Sequence, residues 1–63
     1  MFLEIKTTRN ETVLLNVKHI LYLTEDKEHT IIVDINGCDY LTNERLDNLS
    51  LRLAVLLKNQ NSW

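Results

Sequence analysis

The segment of residues 20–40, ILYLTEDKEHTIIVDINGCDY, constrains the fold of this chain more than any other. It contains two apolar runs, residues 20–24 and 30–35, with a short charged stretch between them. Runs of β-branched and apolar residues between polar clusters are typical of strands. The second run leads into Asn36 and Gly37, a pair that favours a type I′ turn because both residues tolerate positive φ. The segment therefore predicts a three-stranded antiparallel meander, with strands at 20–24, 30–35 and 38–41.

The N-terminal part of the chain predicts a further hairpin. Apolar and polar residues alternate over residues 2–7, as in a half-buried strand. Polar residues 8–10 predict a tight turn, after which residues 11–15 form the returning strand. Residues 16–19 fit either a short helical turn or a bend that brings the chain to the central meander.

The C-terminal part of the chain predicts a helix over residues 43–58, because the apolar period lengthens there from two residues to about 3.6. Thr42 or Asn43 fits as its N-cap, and residues 59–63 fit a frayed tail. The apolar stripe predicted to cover the sheet consists of Leu46, Leu49, Leu53, Leu56 and Leu57. The predicted fold class is α+β: one domain over residues 1–63, with a small antiparallel sheet of four or five strands in a meander and one C-terminal amphipathic helix.

The size of the chain predicts a homodimer. A chain of 63 residues is near the lower limit for a self-sufficient core, and a single cysteine, Cys38, leaves no internal disulfide to stabilise it. The helix is also apolar around a second side, which suggests an interface. The residues predicted to form the dimer interface are Leu51, Ala54, Val55, Leu14 and Ile32. The alternative is a monomer that buries all five.

The residue types that carry chemistry are few and do not follow a known spacing. The candidate acid–base or ligand residues are His19, His29, Cys38, Asp34 and Asp39, with Glu25, Asp26 and Glu28 in the charged stretch. No pair of Cys or His residues has the spacing of a zinc site, and no phosphate loop or nucleophile elbow occurs. The sequence therefore predicts no cofactor, no metal and no enzymatic activity.

The charge balance gives no electrostatic signature of a nucleic-acid-binding protein, since nine acidic residues outnumber seven Lys and Arg. A dimer could still cluster four basic residues against a phosphate backbone. These candidates for nucleic-acid contact are Lys6, Arg9, Arg45 and Arg52. No signal peptide or membrane-spanning run is recognised, so the expected location is the cytoplasm, without a membrane partner.

Two motifs and the order of elements resemble the small FlbD-like family of flagellar operons and phages. The motifs are Leu15-Asn16-Val17-Lys18-His19-Ile20 and Ile35-Asn36-Gly37, followed by the helix from Asn43. The resemblance extends over nearly the whole chain. It implies a strand, the leucine–asparagine motif, a strand, a hairpin and an amphipathic helix, in a small regulatory protein.

Two further families resemble the chain in part. Residues 20–53 are similar to the first half of LytTR DNA-binding domains, through Ile-Leu-Tyr-Leu-Thr-Glu and Tyr40-Leu41-Thr42, but the basic segment that contacts DNA has no counterpart. The order of elements and Glu11-Thr12 resemble CsrA-type RNA-binding dimers, although Asn10 replaces a glycine there. Both resemblances imply nucleic-acid binding, for which this chain lacks most of the basic residues.

The sequence thus leaves two hypotheses about function. The first is a non-enzymatic regulatory protein, encoded by a phage or bacterium, which binds a protein partner as a homodimer. The alternative is a dimeric nucleic-acid-binding regulator that uses CsrA-like RNA contacts or LytTR-like DNA contacts. Catalysis ranks below both, because it would require a pocket holding His29 or Cys38 beside a carboxylate.

Overall fold

The structure is a computed structural model that describes residues 1–60. It contains five strands, a single turn of 3₁₀ helix and one C-terminal helix, which confirms the α+β class. The elements are β1 (Phe2–Lys6), β2 (Thr12–Asn16), the 3₁₀ turn (Val17–His19), β3 (Ile20–Glu25), β4 (Thr30–Asp34), β5 (Asp39–Thr42) and α1 (Leu46–Gln60). Residues 59 and 60 were predicted to belong to a tail but are helical, and residues 61–63 lie outside the described part of the chain.

The strands form two antiparallel sheets rather than the single sheet that was predicted. One sheet pairs β1 with β2, and the other has the order β3-β4-β5. The two sheets meet at a single bridge between Thr7 and Thr42. Beside the bridge, the Thr8 N–H donates to the Leu41 carbonyl at 2.9 Å, and the Thr42 hydroxyl donates to the Lys6 carbonyl at 2.8 Å. At this junction the Thr42 hydroxyl, rather than a backbone N–H, therefore makes the neighbouring hydrogen bond, and the strand pairing does not continue.

The loop between β4 and β5 shows that the predicted type I′ turn is wrong. The Gly37 N–H donates to the Asp34 carbonyl at 3.0 Å, so the central turn residues are Ile35 and Asn36 rather than Asn36 and Gly37. Gly37 has φ +83°, whereas Asn36 does not have positive φ. The Asp34 N–H then donates to the Cys38 carbonyl at 3.0 Å and closes a three-residue loop. This is the arrangement of a type I turn followed by a left-handed glycine.

The loop between β1 and β2 has the same hydrogen bonds. The Asn10 N–H donates to the Thr7 carbonyl at 2.9 Å, and the Thr7 N–H donates to the Glu11 carbonyl at 2.8 Å. Asn10 takes the place that Gly37 has in the other loop and has φ +66°. Asparagine tolerates this conformation better than most residues, because its short polar side chain can bond locally. The predicted tight turn is therefore confirmed.

The core lies between the two sheets and the helix. It consists of Leu3, Ile5, Leu15, Ile32 and Leu49, with the partly buried Val13, Val17, Ile20, Leu23, Tyr40, Leu53 and Leu56 packed against it. The predicted inward stripe of α1 is confirmed at Leu49, Leu53 and Leu56, whereas Leu57 is exposed. Ile32 has no exposed surface, because the register places it between Leu23 and Tyr40 on the inner side of the sheet. Its predicted role in the dimer interface is therefore corrected.

The helix begins later than predicted, at Leu46, and neither Thr42 nor Asn43 caps it. Its first backbone bond runs from the Leu49 N–H to the Arg45 carbonyl at 3.0 Å. The Leu46 N–H donates to a carboxylate oxygen of Glu25 at 2.9 Å. A negative charge at this helix end is favourable because the free N–H groups point there. The last residue of β3 thus supplies the cap, a contact that spacing along the chain does not reveal.

Candidate protein-interaction surface

The outer side of α1 carries large apolar side chains that the fold leaves exposed. Leu51 is 67% exposed and Val55 is 58% exposed, with the exposed Ala54 beside them. The inward side of the same helix already supplies the core contacts. Three of the residues predicted for the dimer interface therefore lie together at the surface.

A groove between α1 and β1 continues this apolar surface. Its lining consists of Phe2, Leu3, Glu4, Leu51, Arg52, Val55 and Leu56. Phe2 is 58% exposed and forms the wall opposite the helix. Leu14 pairs with Glu4 across the hairpin, lies on the same face of the hairpin as Phe2, and is also exposed. We call Phe2, Leu14, Leu51, Ala54 and Val55 the helix–hairpin surface.

The walls of the groove are held together by Arg52. Its guanidinium donates to both carboxylate oxygens of Glu44, at 2.9 and 2.7 Å, and to the Glu4 carbonyl of β1 at 2.8 Å. Glu44 is itself fixed, since its carboxylate accepts from the Asn48 amide and its carbonyl accepts from the Thr30 hydroxyl at 2.7 Å. A bidentate arginine–carboxylate pair adds geometric definition as well as energy. The network therefore links α1 to β1 through the Glu4 carbonyl, in addition to the core packing of the helix.

Carboxylates lie near the four basic residues that were predicted to contact nucleic acid. Arg45 precedes the helix, so it does not share a helix face with Arg52, and it pairs with Glu25 at 2.9 Å. Arg52 pairs with Glu44 at 2.7 Å. Lys6 borders a concavity that also contains Glu44, and Arg9 borders one that contains Glu11 and Asp39. Each cation thus has a carboxylate nearby, which weakens the positive field that a phosphate backbone requires.

Asp34, a candidate acid–base residue, stabilises the loop after β4. One carboxylate oxygen accepts the Asn36 and Cys38 N–H groups, both at 2.9 Å, and the other accepts the Tyr40 hydroxyl at 3.1 Å. The backbone bond from Cys38 is the main reason that the pKa of Asp34 is lowered. The same carboxylate raises the pKa of Tyr40 through the hydroxyl bond. An aspartate at the first position of such a turn is a recognisable signal, which the sequence interpretation did not use.

Asp26 has the same role in the loop between β3 and β4. Its carboxylate accepts the N–H groups of Glu28 at 2.8 Å and His29 at 2.7 Å. The backbone bond from His29 is the main cause of the lowered pKa of Asp26. Within residues 1–60, no group of three or more His, Cys, Asp or Glu side chains could hold a metal ion. Asp26 therefore stabilises the backbone of this loop, and Glu25 caps the helix.

A second group of exposed apolar side chains lies on the strands of the three-stranded sheet. It contains Leu21, Tyr22 and Leu41, and we call it the outer sheet surface. A bulge between Ile20 and Tyr22 interrupts the pairing of β3 with β4 at Leu21, which is 62% exposed. None of the three residues borders the groove beside α1. The described chain thus exposes two separate apolar surfaces.

The chain matches no protein-family model, no curated protein and no solved structure. The resemblances to the FlbD-like, LytTR and CsrA-type families therefore stay predictions. None of the helical segments within residues 1–60 has the length and apolar character needed to cross a membrane.

Proposed function

We propose that this chain is a non-enzymatic regulatory protein that binds a protein partner and acts as a homodimer. The observation that carries the proposal is the helix–hairpin surface, where Phe2, Leu14, Leu51 and Val55 are all more than half exposed. Contiguous exposed apolar side chains with a polar border are characteristic of protein-binding surfaces. The FlbD-like resemblance supports a regulatory role in a bacterium or a phage.

The small core supports the dimeric state. In the described part of the chain, only six apolar residues are buried, namely Leu3, Ile5, Leu15, Ile32, Val33 and Leu49. Domains of this size gain stability from a partner subunit when no disulfide or metal supplies it. The helix–hairpin surface is suited to a second copy, and the outer sheet surface remains accessible for the protein partner.

The polar network supports a binding function rather than catalysis. Asp34, Asp26 and Glu25 each accept backbone N–H groups, so these carboxylates are engaged in holding loops and the helix end. Arg45, just before the helix, and Arg52, within it, are both paired with carboxylates, which favours a protein partner over a nucleic acid. Nucleic-acid binding remains the alternative that the experiment must distinguish.

The proposal is tested by capture of the partner from bacterial lysate, with and without nuclease. The bait is the full chain, compared with Leu21→Glu and Leu51→Glu variants that each place a charge on one apolar surface. We expect one protein at a constant ratio to the bait, retained after nuclease treatment and lost with Leu21→Glu. Retention of RNA or DNA that disappears with nuclease would refute the proposal in favour of the alternative. Equal retention by all three baits would exclude both apolar surfaces.

A further inference from the structure

We infer that the second copy packs its α1 antiparallel against the outer side of α1, with Asp47 of each chain paired to Lys58 of the other. This inference rests on the proposed function, because it describes how the proposed dimer is built. It specifies a register and an orientation, which the proposed function leaves open.

The outer side of α1 is continuous along the helix. It consists of Asp47, Ser50, Leu51, Ala54, Val55 and Lys58, all of them exposed. Residues three, four, seven, eight and eleven positions apart fall on one side of a helix, because about 3.6 residues complete a turn. An acidic residue therefore lies at one end of this side and a basic residue at the other, with small and large side chains between them.

An antiparallel pair with its twofold axis between Arg52 and Leu53 makes this side complementary to itself. Leu51 meets the small Ala54 of the second copy, and Val55 meets Ser50, so each large side chain lies opposite a small one. Asp47 meets Lys58 at both ends of the pair. Interfaces with twofold symmetry require this kind of self-complementarity, and large residues facing small ones allow two helices to approach closely.

A parallel pair would place the same residues against one another. Asp47 would face Asp47, Lys58 would face Lys58, and Leu51 would face Leu51. Like charges in contact are unfavourable, and parallel helix dipoles repel. The order of charges along the helix thus selects the antiparallel arrangement.

Asp47 and Lys58 are free to form this contact. Neither makes an ion pair within residues 1–60, unlike Glu25, Glu44 and the two arginines nearby. Among the described residues, the Asp47 carboxylate accepts only its neighbour's N–H, from Asn48 at 2.8 Å. Phe2 and the groove border one flank of the pair and extend the apolar contact beyond the helices.

The test is disulfide cross-linking in a Cys38→Ser background, which removes the exposed native thiol. Asp47→Cys and Lys58→Cys variants are oxidised separately and as a mixture. A disulfide needs Cα atoms within about 7 Å, whereas two copies of residue 47 in the antiparallel pair are about 16 Å apart along the helix. We expect a covalent dimer in the mixture, with one chain of each variant, and little from either variant alone.

Three results separate this inference from the proposed function. Cross-linking of each variant with itself would indicate a parallel pair and overturn the inference. No cross-link, with a dimer still present by sedimentation of the unmodified chain, would overturn the inference but leave the dimer. An unmodified chain that is monomeric at every concentration would refute the dimer as well.

A charge reversal gives an independent readout. Asp47→Lys should weaken dimerisation roughly 2- to 30-fold, because two exposed ion pairs per dimer are lost. Lys58→Asp should do the same, and the variant with both changes should recover the original affinity, because the pair is restored with reversed sign. Failure of the double variant to recover, with melting temperatures unchanged, would refute the pairing.

Discussion

Truncation of Leu51 to alanine should weaken the dimer strongly while hardly changing the stability of the monomer. Leu51 is 67% exposed in the single chain, so about two thirds of its surface remains to be buried by a second copy. Full burial of a leucine side chain is worth about 1.5–3 kcal/mol, and a symmetric interface contains the residue twice. Because alanine retains Cβ, the expected loss is about 1.5–3 kcal/mol per dimer, or roughly 10- to 150-fold in Kd.

The assay is sedimentation equilibrium over a concentration series, combined with thermal unfolding. The matched control is Leu21→Ala, which removes the same atoms from a residue that is 62% exposed on the outer sheet surface. We expect an unchanged Kd for Leu21→Ala. At concentrations where the parent is monomeric, both variants should unfold within about 1 kcal/mol of the parent, since only about a third of either side chain is buried in the monomer. Leu49→Ala, at a fully buried position, should instead cost about 2–5 kcal/mol.

Two results would refute the reasoning. An equal loss of affinity for Leu51→Ala and Leu21→Ala would mean that dimerisation does not select the helix–hairpin surface. A large loss of stability for Leu51→Ala, comparable with that of Leu49→Ala, would mean that Leu51 belongs to the core and is not an exposed contact.

Three further predictions concern the loops. Gly37→Ala should lower the free energy of unfolding by about 1–2 kcal/mol, because φ is +83° there and an added Cβ meets no atom within 4 Å, so the cost is conformational alone. Asn10→Gly should raise the melting temperature, since Asn10 occupies the same left-handed position; a lower value would contradict the shared loop geometry. Asp34 has a folded-state pKa below the unfolded value of about 3.9, so its contribution is present above that pH and is lost as the pH falls through the folded pKa. Asp34→Asn should therefore lower the free energy of unfolding at neutral pH, and this free energy, measured by urea unfolding, should depend less on pH in the acid range. A variant whose stability falls in acid as steeply as that of the parent would contradict this.

The local pattern of the sequence predicted the elements but not how they meet. Alternation in β1 and the leucine stripe of α1 are properties of neighbouring residues, so they could be interpreted directly. The single bridge between Thr7 and Thr42 depends on residues far apart in the chain, and nothing in either segment alone reveals that the sheets separate there. The turn was predicted one residue too late in the chain, at Asn36-Gly37. The Asp34 carboxylate accepts the N–H groups of Asn36 and Cys38 and thereby favours a longer loop.

The residues of the candidate surface could likewise be identified only where a local pattern of the sequence indicates them. Leu51, Ala54 and Val55 could be identified because helical periodicity separates them from the inward stripe. Ile32 could not, because only the pairing of β4 with two neighbours places it on the inner side of the sheet. Phe2 was missed as a groove residue, since its position beside α1 depends on the contact of Arg52 with the Glu4 carbonyl.

The internal use of the arginines connects the fold with the proposed function. Arg45 and Arg52 would be the strongest candidates for phosphate contacts, yet Glu25 and Glu44 engage them where the helix meets the strands. Releasing either arginine for a nucleic acid would leave a carboxylate unpaired and would loosen the helix against the sheet. The same pairs keep α1 in place and leave its outer side to Asp47, Lys58 and the apolar residues between them. An architecture that uses its arginines for internal support and exposes leucine and valine is better suited to bind another protein than a phosphate backbone.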